Sequence, residues 1–239
     1  MLIHSGSTNS ARLLPPENLG ARRWRARETV AREGDHPEYL LVIRQGWAAR
    51  MRRLGDGVRQ ITGVYIPGDI CDTFRLEGRP VSQPVVALSD LRVASVPMSD
   101  VRRRAKEQAS LRDALWKETQ RTAEARSEWM VSLARRDSIA RLAHIFCELL
   151  ARQHVTGQAS GNCCDLPLTQ HDLADLAGIT PVHTNRTLQA MRAQGLIELR
   201  SKRLRILDPE RLKAIAAFDD GYLPLPDEPQ VGELMLNEI

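Results

Sequence analysis

The chain has 239 residues and a formal net charge of +4, with 34 lysines and arginines against 30 acidic residues. This length allows one large domain or two ordinary ones, and the small positive charge is compatible with a polyanionic partner without requiring one. No apolar run approaches the roughly 18 residues of a membrane-spanning helix, and the four cysteines lack the spacing of a disulfide framework, so we expect a cytoplasmic protein with reduced thiols and no membrane partner.

The N-terminal part of the sequence predicts a β domain. Residues 1–20 are polar and show little periodicity, which indicates a loose arm or a short helix. From Ala21 to about Pro97, glycines interrupt short alternating segments, and Gly-Asp or Asp-Gly pairs mark the turns. Such a pattern favours an antiparallel β-roll similar to a jelly roll. The predicted strands cover 39–43, 47–51, 60–66, 84–88 and 91–96.

Long helices should follow this domain, because glycine and proline are absent from residues 99–150. A near-heptad stripe, interrupted at Glu118, runs along the first helix. It can pack on the chain's own β-roll, but its length after a complete β domain favours pairing with a second copy of the chain. We therefore predict a sensor domain over 1–134 that ends in a dimerisation helix from about residue 99. The stripe consists of Leu111, Leu115, Thr122, Ala125 and Trp129.

A second domain is predicted over residues 135–223. The charged run at 135–137 indicates a hinge, after which Ser138 can cap a helix over 139–154. The following loop, 155–165, is small and polar.

Two short helices come next, joined by a glycine. Thr169 and Asp172 predict a capping box at the start of the first helix, and Gly178 suits the left-handed conformation at its end. Thr180 as N-cap and Pro181 at the first helical position predict the start of the second helix.

A basic hairpin completes the unit. The second helix covers 181–194, and its apolar residues recur at spacings of four and three toward the first helix. Alternating segments at 197–200 and 204–207 predict the hairpin, and residues 181–205 contain six basic residues against one acid. The pattern is typical of a winged helix-turn-helix that binds DNA, although a structural helical hairpin with a solvated basic face also fits it. The apolar residues of the second helix are Thr184, Leu188 and Met191.

The C-terminal residues predict little structure. A short helix should begin at Asp208-Pro209 and run to Phe218. The tail, 224–239, contains four acids, three prolines and no bases, so we predict that it is mobile.

Residues 169–207, including the run TPVHTNRTLQ, resemble the DNA-binding domain of the Crp/Fnr family of bacterial transcription regulators. The likeness extends over most of the chain. The resemblance implies an α+β protein with a β-roll like a cyclic-nucleotide-binding domain, a long central dimerisation helix and a C-terminal winged helix-turn-helix. It also implies a homodimer on a two-fold site of double-stranded DNA, with RNA polymerase as a further partner. The similar residues of the N-terminal part are Arg32-Glu33-Gly34-Asp35, Gly46, Asp56-Gly57 and Pro67-Gly68-Asp69.

The DNA contacts can be assigned from this architecture, in which the recognition helix reads base edges while the first helix and the wing hold phosphates. Arg186 lies where the family keeps a base-reading arginine, and a guanidinium can donate two hydrogen bonds to guanine. Val182 replaces a glutamate that reads cytosine in known members, and valine can contact only a thymine methyl group. His183 can also be a partly exposed spacer. The other predicted contact residues are Thr180, Pro181, His183 and Asn185 on the recognition helix, Thr169, Gln170 and His171 at the start of the first helix, and Lys202 and Arg203 in the wing.

The signal is not evident from the sequence. Cyclic-nucleotide binders with this β-roll hold the phosphate with an arginine-serine pair, but Val81-Ser82 stands at that place and Arg79 is out of register. Oxygen-sensing members bind an iron–sulfur cluster with cysteines mostly near the N-terminus, whereas none precedes Cys71 here, and the adjacent Cys163-Cys164 are poorly spaced for chelation. We therefore expect no cofactor and no metal, disfavour cyclic AMP, and leave both the effector and any role of these cysteines open.

No nucleophile elbow, phosphate-binding loop or haem-attachment motif is present, so we do not expect an enzyme. An alternative function is a small-molecule or redox sensor that signals through a protein partner and uses the helix-turn-helix only as a scaffold. The basic wing and Arg186 favour DNA binding, and salt-dependent retention on any duplex would separate the two functions.

Overall fold

The computed structural model describes residues 20–55, 57–71, 78–224, 231–232 and 235. The strands are β1 (Gly20–Trp24), β2 (Thr29–Ala31), β3 (Tyr39–Gln45), β4 (Ala48–Arg53), β5 (Arg59–Tyr65), β6 (Ile70–Cys71), β7 (Val85–Ala87), β8 (Leu91–Pro97), β9 (Cys163–Asp165), β10 (Ile197–Arg200) and β11 (Arg203–Ile206). The helices are α1 (Met98–Glu107), α2 (Ala109–Arg135), α3 (Ser138–Val155), α4 (Gln170–Ala177), α5 (Pro181–Ala193) and α6 (Pro209–Ala216). The predicted α+β fold class is confirmed. The arm predicted at 1–20 lies outside the described residues, except for Gly20.

The N-terminal domain is a roll of two antiparallel four-stranded sheets, ordered β1-β8-β3-β6 and β2-β7-β4-β5. Its interior is filled by apolar side chains from both sheets, among them Leu41, Val85 and Val93. The five predicted strands are present with ends shifted by one or two residues. The sequence pattern missed β1, β2 and β6, because β1 is mostly exposed and the other two are only three and two residues long.

The helical region is interrupted at the hinge that the charged residues 135–137 predicted. Arg136 and Asp137 have extended dihedral angles between α2 and α3. The predicted cap Ser138 is wrong, because Asp137 is the N-cap and its Oδ1 accepts a hydrogen bond from the Ala140 backbone N–H at 2.8 Å. Ser138 is instead the first helical residue, and its hydroxyl oxygen accepts a hydrogen bond from Thr187 Oγ1.

The predicted stripe of α2 faces its own chain. Leu111 and Leu115 are buried with Leu40 and Val101 on the outer face of the β3-β8 sheet. Trp129 packs against the core that contains α3 and donates a hydrogen bond to Glu148 Oε2 at 2.6 Å. Leu111 and Leu115 are therefore not available to a second copy of the chain, whereas Thr122, Ala125 and Trp129 are only partly buried. The prediction that the stripe pairs with a second copy is wrong for Leu111 and Leu115 and stays a prediction for the other three residues.

The C-terminal domain shares a core with the roll. Met51 and Ile61 of the β4-β5 sheet pack in one apolar cluster with Leu142 and Phe146 of α3 and with Leu173 of α4. The boundary expected near residue 135 is thus a helix break within a continuous apolar core.

The tail is partly fixed on the roll. Val231 and Met235 are buried against the outer face of the β3-β8 sheet and α1, and the Met235 carbonyl oxygen accepts a hydrogen bond from Arg104 Nη1 at 3.1 Å. The prediction of a mobile tail is wrong at these residues. Their four-residue spacing puts both side chains on one helical face, and burial of that face outweighs the acidic composition. Residues 225–230, 233–234 and 236–239 lie outside the described part of the chain.

Candidate DNA-binding surface

The first helix of the helix-turn-helix, α4, begins with the predicted capping box. Thr169 Oγ1 accepts a hydrogen bond from the Asp172 backbone N–H, and Asp172 Oδ2 accepts one from the Thr169 backbone N–H at 2.9 Å. Gly178 ends the helix with a φ angle of 64°, a conformation that glycine adopts without steric cost. Both predictions of the helix ends are confirmed, and Gln170 and His171 are exposed at the helix N-terminus.

The recognition helix, α5, has its predicted start and faces, and it ends at Ala193, one residue before the predicted end at 194. Thr180 Oγ1 accepts a hydrogen bond from the His183 backbone N–H at 3.2 Å, and Pro181 occupies the first turn, where its missing N–H has no helical partner. Leu188 and Met191 are buried against α4 and α3, whereas His183 is exposed. The apolar face therefore fixes which side of α5 is presented to solvent.

The solvent-facing side of α5 carries the predicted base-reading residues and a row of side-chain amides joined by hydrogen bonds. Val182 is 72% exposed, and Arg186 is exposed one turn further on. Asn185 Nδ2 donates to Gln170 Oε1 at 2.9 Å, and Gln189 Nε2 donates to Asn185 Oδ1 at 3.0 Å. The helices are thus linked across the exposed surface. Gln189 was missing from the predicted contacts, although its four-residue spacing from Asn185 already placed it on this face.

The wing is the hairpin of β10 and β11. Its two-residue turn, Ser201-Lys202, has φ angles of 51° and 59°, as in the type I′ turns that suit twisted hairpins. Lys202 is exposed at the tip. The predicted strand start at residue 204 is wrong by one position, because Arg203 pairs with Arg200 at the beginning of β11. The third strand of this sheet, β9, was not predicted.

The three elements meet in one recess. Gln170 of α4, Arg192 of α5 and Lys202 and Arg203 of the wing line it together. Gln170 lines this recess and also accepts the hydrogen bond from Asn185, so the recess adjoins the exposed side of α5. The structure therefore brings the candidate phosphate contacts of α4 and the wing beside the recognition helix, and it adds the cation Arg192 to them.

An ion pair joins the N-terminal domain to α4. Arg27, in the turn between β1 and β2, donates from Nη1 and Nη2 to the two carboxylate oxygens of Asp172, each at 2.7 Å. The Asp172 side chain is completely buried. Burial by itself raises its pKa, but the hydrogen bonds from Arg27 and Thr169 outweigh burial and leave the pKa below the usual value. A second pair, Arg59 with Asp175 at 2.6 Å, lies on the same side of α4.

A buried polar cluster forms the other junction between the domains. Arg152 of α3 lies 2.5 Å from Asp69 Oδ2 of the roll and 3.5 Å from Glu148 Oε1. Glu148 Oε2 accepts hydrogen bonds from Trp129 of α2 and from the Tyr222 hydroxyl. Burial raises the pKa of Glu148, and the positive charge of Arg152 opposes that effect. Side chains of the roll, α2, α3 and the C-terminal segment thus meet at one pair of carboxylates.

Val81, Cys147 and Cys164 lie in apolar surroundings. Val81 is 3% exposed and packs inside the roll. Burial raises the pKa of the Cys147 and Cys164 thiols to about 12. Within the described ranges, no group of three or more His, Cys, Asp and Glu side chains could hold a metal ion.

A β-roll, a long connecting helix and a winged helix-turn-helix with a basic wing define the class of two-domain DNA-binding transcription regulators. Residues 21–108 match the cyclic nucleotide-binding domain, and residues 140–215 match the Crp-like helix-turn-helix domain. The chain is a member of the Crp/Fnr family and regulates transcription by binding DNA.

Proteins of similar sequence or fold occur in several bacteria. The chain is 28% identical to the transcriptional activator protein FnrL of Cereibacter sphaeroides, with 85% of this chain and 84% of FnrL covered. It is also 28% identical to the nitrogen fixation regulation protein FixK of Bradyrhizobium diazoefficiens, with 88% of both chains covered. The fold is similar to that of FixK2 from Bradyrhizobium japonicum, with a TM-score of 0.74, 24% identity, and coverage of 84% of this chain and 98% of that one. Among the described residues, no helix is long and apolar enough to span a membrane.

Proposed function

We propose that the protein acts in the cytoplasm as a homodimer on a pseudo-palindromic site of double-stranded DNA, with α5 in the major groove. The observation that carries this proposal is the exposure of Val182 and Arg186 on α5, a helix whose Arg192 lines the basic recess together with the wing. Two recognition helices related by a two-fold axis fit successive major grooves about 34 Å apart. Their half-sites are therefore one helical turn apart.

Dimerisation is assigned to the exposed face of α2. Along this face, exposed residues succeed one another at spacings of four and three, as in a coiled-coil seam. Trp116 is 64% exposed and Met130 is 66% exposed, and large apolar side chains left in water on a regular stripe indicate a protein contact. Small side chains between them allow close approach of a second helix. The stripe consists of Trp116, Gln120, Ala123, Ser127, Met130 and Ala134.

A pair of variants separates dimerisation from folding. Met130→Glu should sediment as a monomer and unfold with a nearly unchanged intrinsic stability, because the Met130 side chain is exposed on its own chain. Leu115→Glu should instead lose at least about 2–5 kcal/mol of unfolding free energy, since Leu115 is buried in the roll contact. A Met130→Glu protein that remains dimeric would show that another face pairs, and a monomeric wild type at micromolar concentration would exclude the homodimer.

DNA reading is tested by selecting bound duplexes from a random pool and titrating variants at several salt concentrations. Arg186→Ala should cost on the order of 1–3 kcal/mol per half-site and relax the preference at one base pair. Lys202→Ala should weaken binding to all sequences alike and reduce the salt slope by about one. Equal weakening by Arg186→Ala on selected and scrambled duplexes would assign Arg186 to phosphate contact instead.

The regulated step and the signal are further parts of the proposal. Because FnrL and Anr of Pseudomonas protegens, both similar to this chain, are transcriptional activators, we assign RNA polymerase as a partner of the DNA-bound dimer. Buried Val81 supplies no countercharge for a cyclic phosphate, so cyclic AMP should give no binding heat at millimolar concentration. Saturable binding at micromolar concentration would overturn this assignment.

A further inference from the structure

The DNA-binding domain contains a pocket of about 360 Å³ that plays no part in the DNA contacts. It lies between α3, α6, the end of the wing and the segment 218–224 that comes after α6. This volume falls within the range of about 300–1,000 Å³ typical of small-molecule sites, and it far exceeds the space of a single buried water. Its walls are formed mainly by apolar side chains, including Leu150, Val155, Ile206, Phe218 and Leu223.

The polar groups of the pocket lie on different elements. His154 is on α3, Asn162 precedes the wing sheet, Lys213 is on α6 and Asp220 is on the covering segment. The Lys213 ammonium is 4.0 Å from Glu210, and its side chain is half exposed, so this ion pair is weak. Burial raises the pKa of the wall residue Cys147, and the positive charge of Lys213 opposes that rise. The Lys213 charge therefore acts on the pocket itself.

The covering segment is held from outside the pocket. The Tyr222 hydroxyl donates to Glu148 Oε2 at 3.0 Å, and the Phe218 ring packs edge-on against His144 with 5.5 Å between centroids. Arg136 Nε also donates to the carbonyl oxygen of Ala216, at the end of α6, at 2.8 Å. These contacts hold the segment at several points where it borders the pocket. The described residues thus enclose a pocket whose walls are mainly apolar.

We propose that this pocket binds a small apolar monocarboxylic acid, with its hydrocarbon part against the walls on α3 and its carboxylate beside Lys213. An apolar ligand gains from the removal of its surface from water, and the ammonium supplies a charge-assisted hydrogen bond. Asp220 would repel a second acidic group, which restricts the ligand to one carboxylate. This site is separate from the interior of the β-roll, and it requires neither DNA nor a dimer.

The test compares three unbranched ligands that each contain eight carbon atoms: octanoate, octanol and octylammonium. Calorimetric titration of the full-length protein should show saturable binding of octanoate, about tenfold tighter than that of octylammonium, equivalent to about 1.4 kcal/mol. Ala151→Leu fills the pocket from α3 and should abolish octanoate binding. The matched control is Ala214→Leu, which adds the same atoms on the exposed side of α6 and should leave binding unchanged. Lys213→Met should reduce the affinity for octanoate to that for octanol.

Several outcomes of these titrations would overturn the proposed ligand site. Octanoate binding that survives Ala151→Leu, or that is no tighter than octylammonium binding, would overturn it, as would the absence of octanoate binding at millimolar concentration. Thermal unfolding of each variant verifies folding. Should Ala151→Leu fail to fold, Lys213→Met still decides, because an unchanged preference for octanoate over octanol contradicts the assigned carboxylate site. All readouts are independent of DNA affinity.

Discussion

Replacement of Arg27 by alanine tests how the N-terminal domain holds the first helix of the helix-turn-helix. The variant removes both hydrogen bonds, each 2.7 Å long, from the completely buried carboxylate of Asp172. A hydrogen bond to a charged group contributes about 1.5–3 kcal/mol, and removing one partner of a buried pair costs about 3–5 kcal/mol. The Arg27 side chain is 44% exposed, so water screens the pair, and we expect Arg27→Ala to lose about 1–3 kcal/mol of unfolding free energy.

The unfolding free energy lost in Arg27→Ala should be largest at neutral pH and smaller in acid. The folded-state pKa of Asp172 is below its ordinary value of 3.8. A lowered carboxyl pKa stabilises the folded state at pH values above the unfolded pKa, and this stabilisation disappears as the pH falls through the folded pKa. Without Arg27, burial raises the pKa instead. Arg27→Ala should thus differ most from the wild type at neutral pH, and the difference should shrink as the pH falls below 3.8.

Urea unfolding of the two proteins at neutral and acid pH measures this difference. Arg25→Ala is the matched control, because Arg25 is exposed in the same turn and its backbone N–H bonds to Glu28 within that turn. A double-mutant cycle with Asp172→Asn isolates the pair from the capping role of Asp172. The reasoning is refuted if Arg27→Ala and Arg25→Ala unfold within about 0.5 kcal/mol of each other at neutral pH, or if the loss for Arg27→Ala persists undiminished in acid.

Three further variants probe local features. Thr169→Ala removes the N-cap of α4 and should lower the unfolding free energy by about 1 kcal/mol in urea; an unchanged value would contradict the cap. Lys202→Gly relieves a positive φ angle, so we expect a gain of about 0.5–1 kcal/mol in thermal unfolding with weaker binding to every duplex, whereas a loss of stability would contradict the turn assignment. At Gly232, an added Cβ would lie 2.5 Å from the Gly68 carbonyl oxygen. Gly232→Ala should therefore cost about 1–3 kcal/mol, and unchanged urea unfolding would contradict that close contact.

The ends of the recognition unit could be predicted because they depend on neighbouring residues. The cap at Thr180, Pro181 in the first turn and the left-handed Gly178 each satisfy a backbone requirement within three or four positions. Such requirements are visible in a short stretch of sequence. The same reasoning failed at Ser138, because Asp137 beside it is an equally good cap and the pattern alone did not decide between them.

Contacts between distant segments could not be predicted in this way. Arg27 and Asp172 are 145 residues apart in the chain, and each has an ordinary local explanation, in a charged turn and in a capping box. The burial of Val231 and Met235 was not predicted, because the tail around them is acidic and contains prolines, although their spacing fits a helix. In each case, the deciding interaction is burial against a surface that forms only when the chain is folded.

The central helix α2 has two faces whose residues recur at the same helical spacing. Leu115 and Trp129 belong to a stripe that packs on the chain's own domains, and Trp116 and Met130 belong to a second stripe with similar helical spacing that stays exposed. Spacing alone cannot decide which stripe meets a second copy, since both repeat every three or four residues. In the proposed dimer, the exposed stripe fixes α2 against its partner, and the Trp129 hydrogen bond to Glu148 ties the same helix to α3. A shift of α2 in such a dimer that left α3 in place would break a hydrogen bond to a buried carboxylate, so the proposed dimer contact would be coupled energetically to the position of the DNA-binding domain.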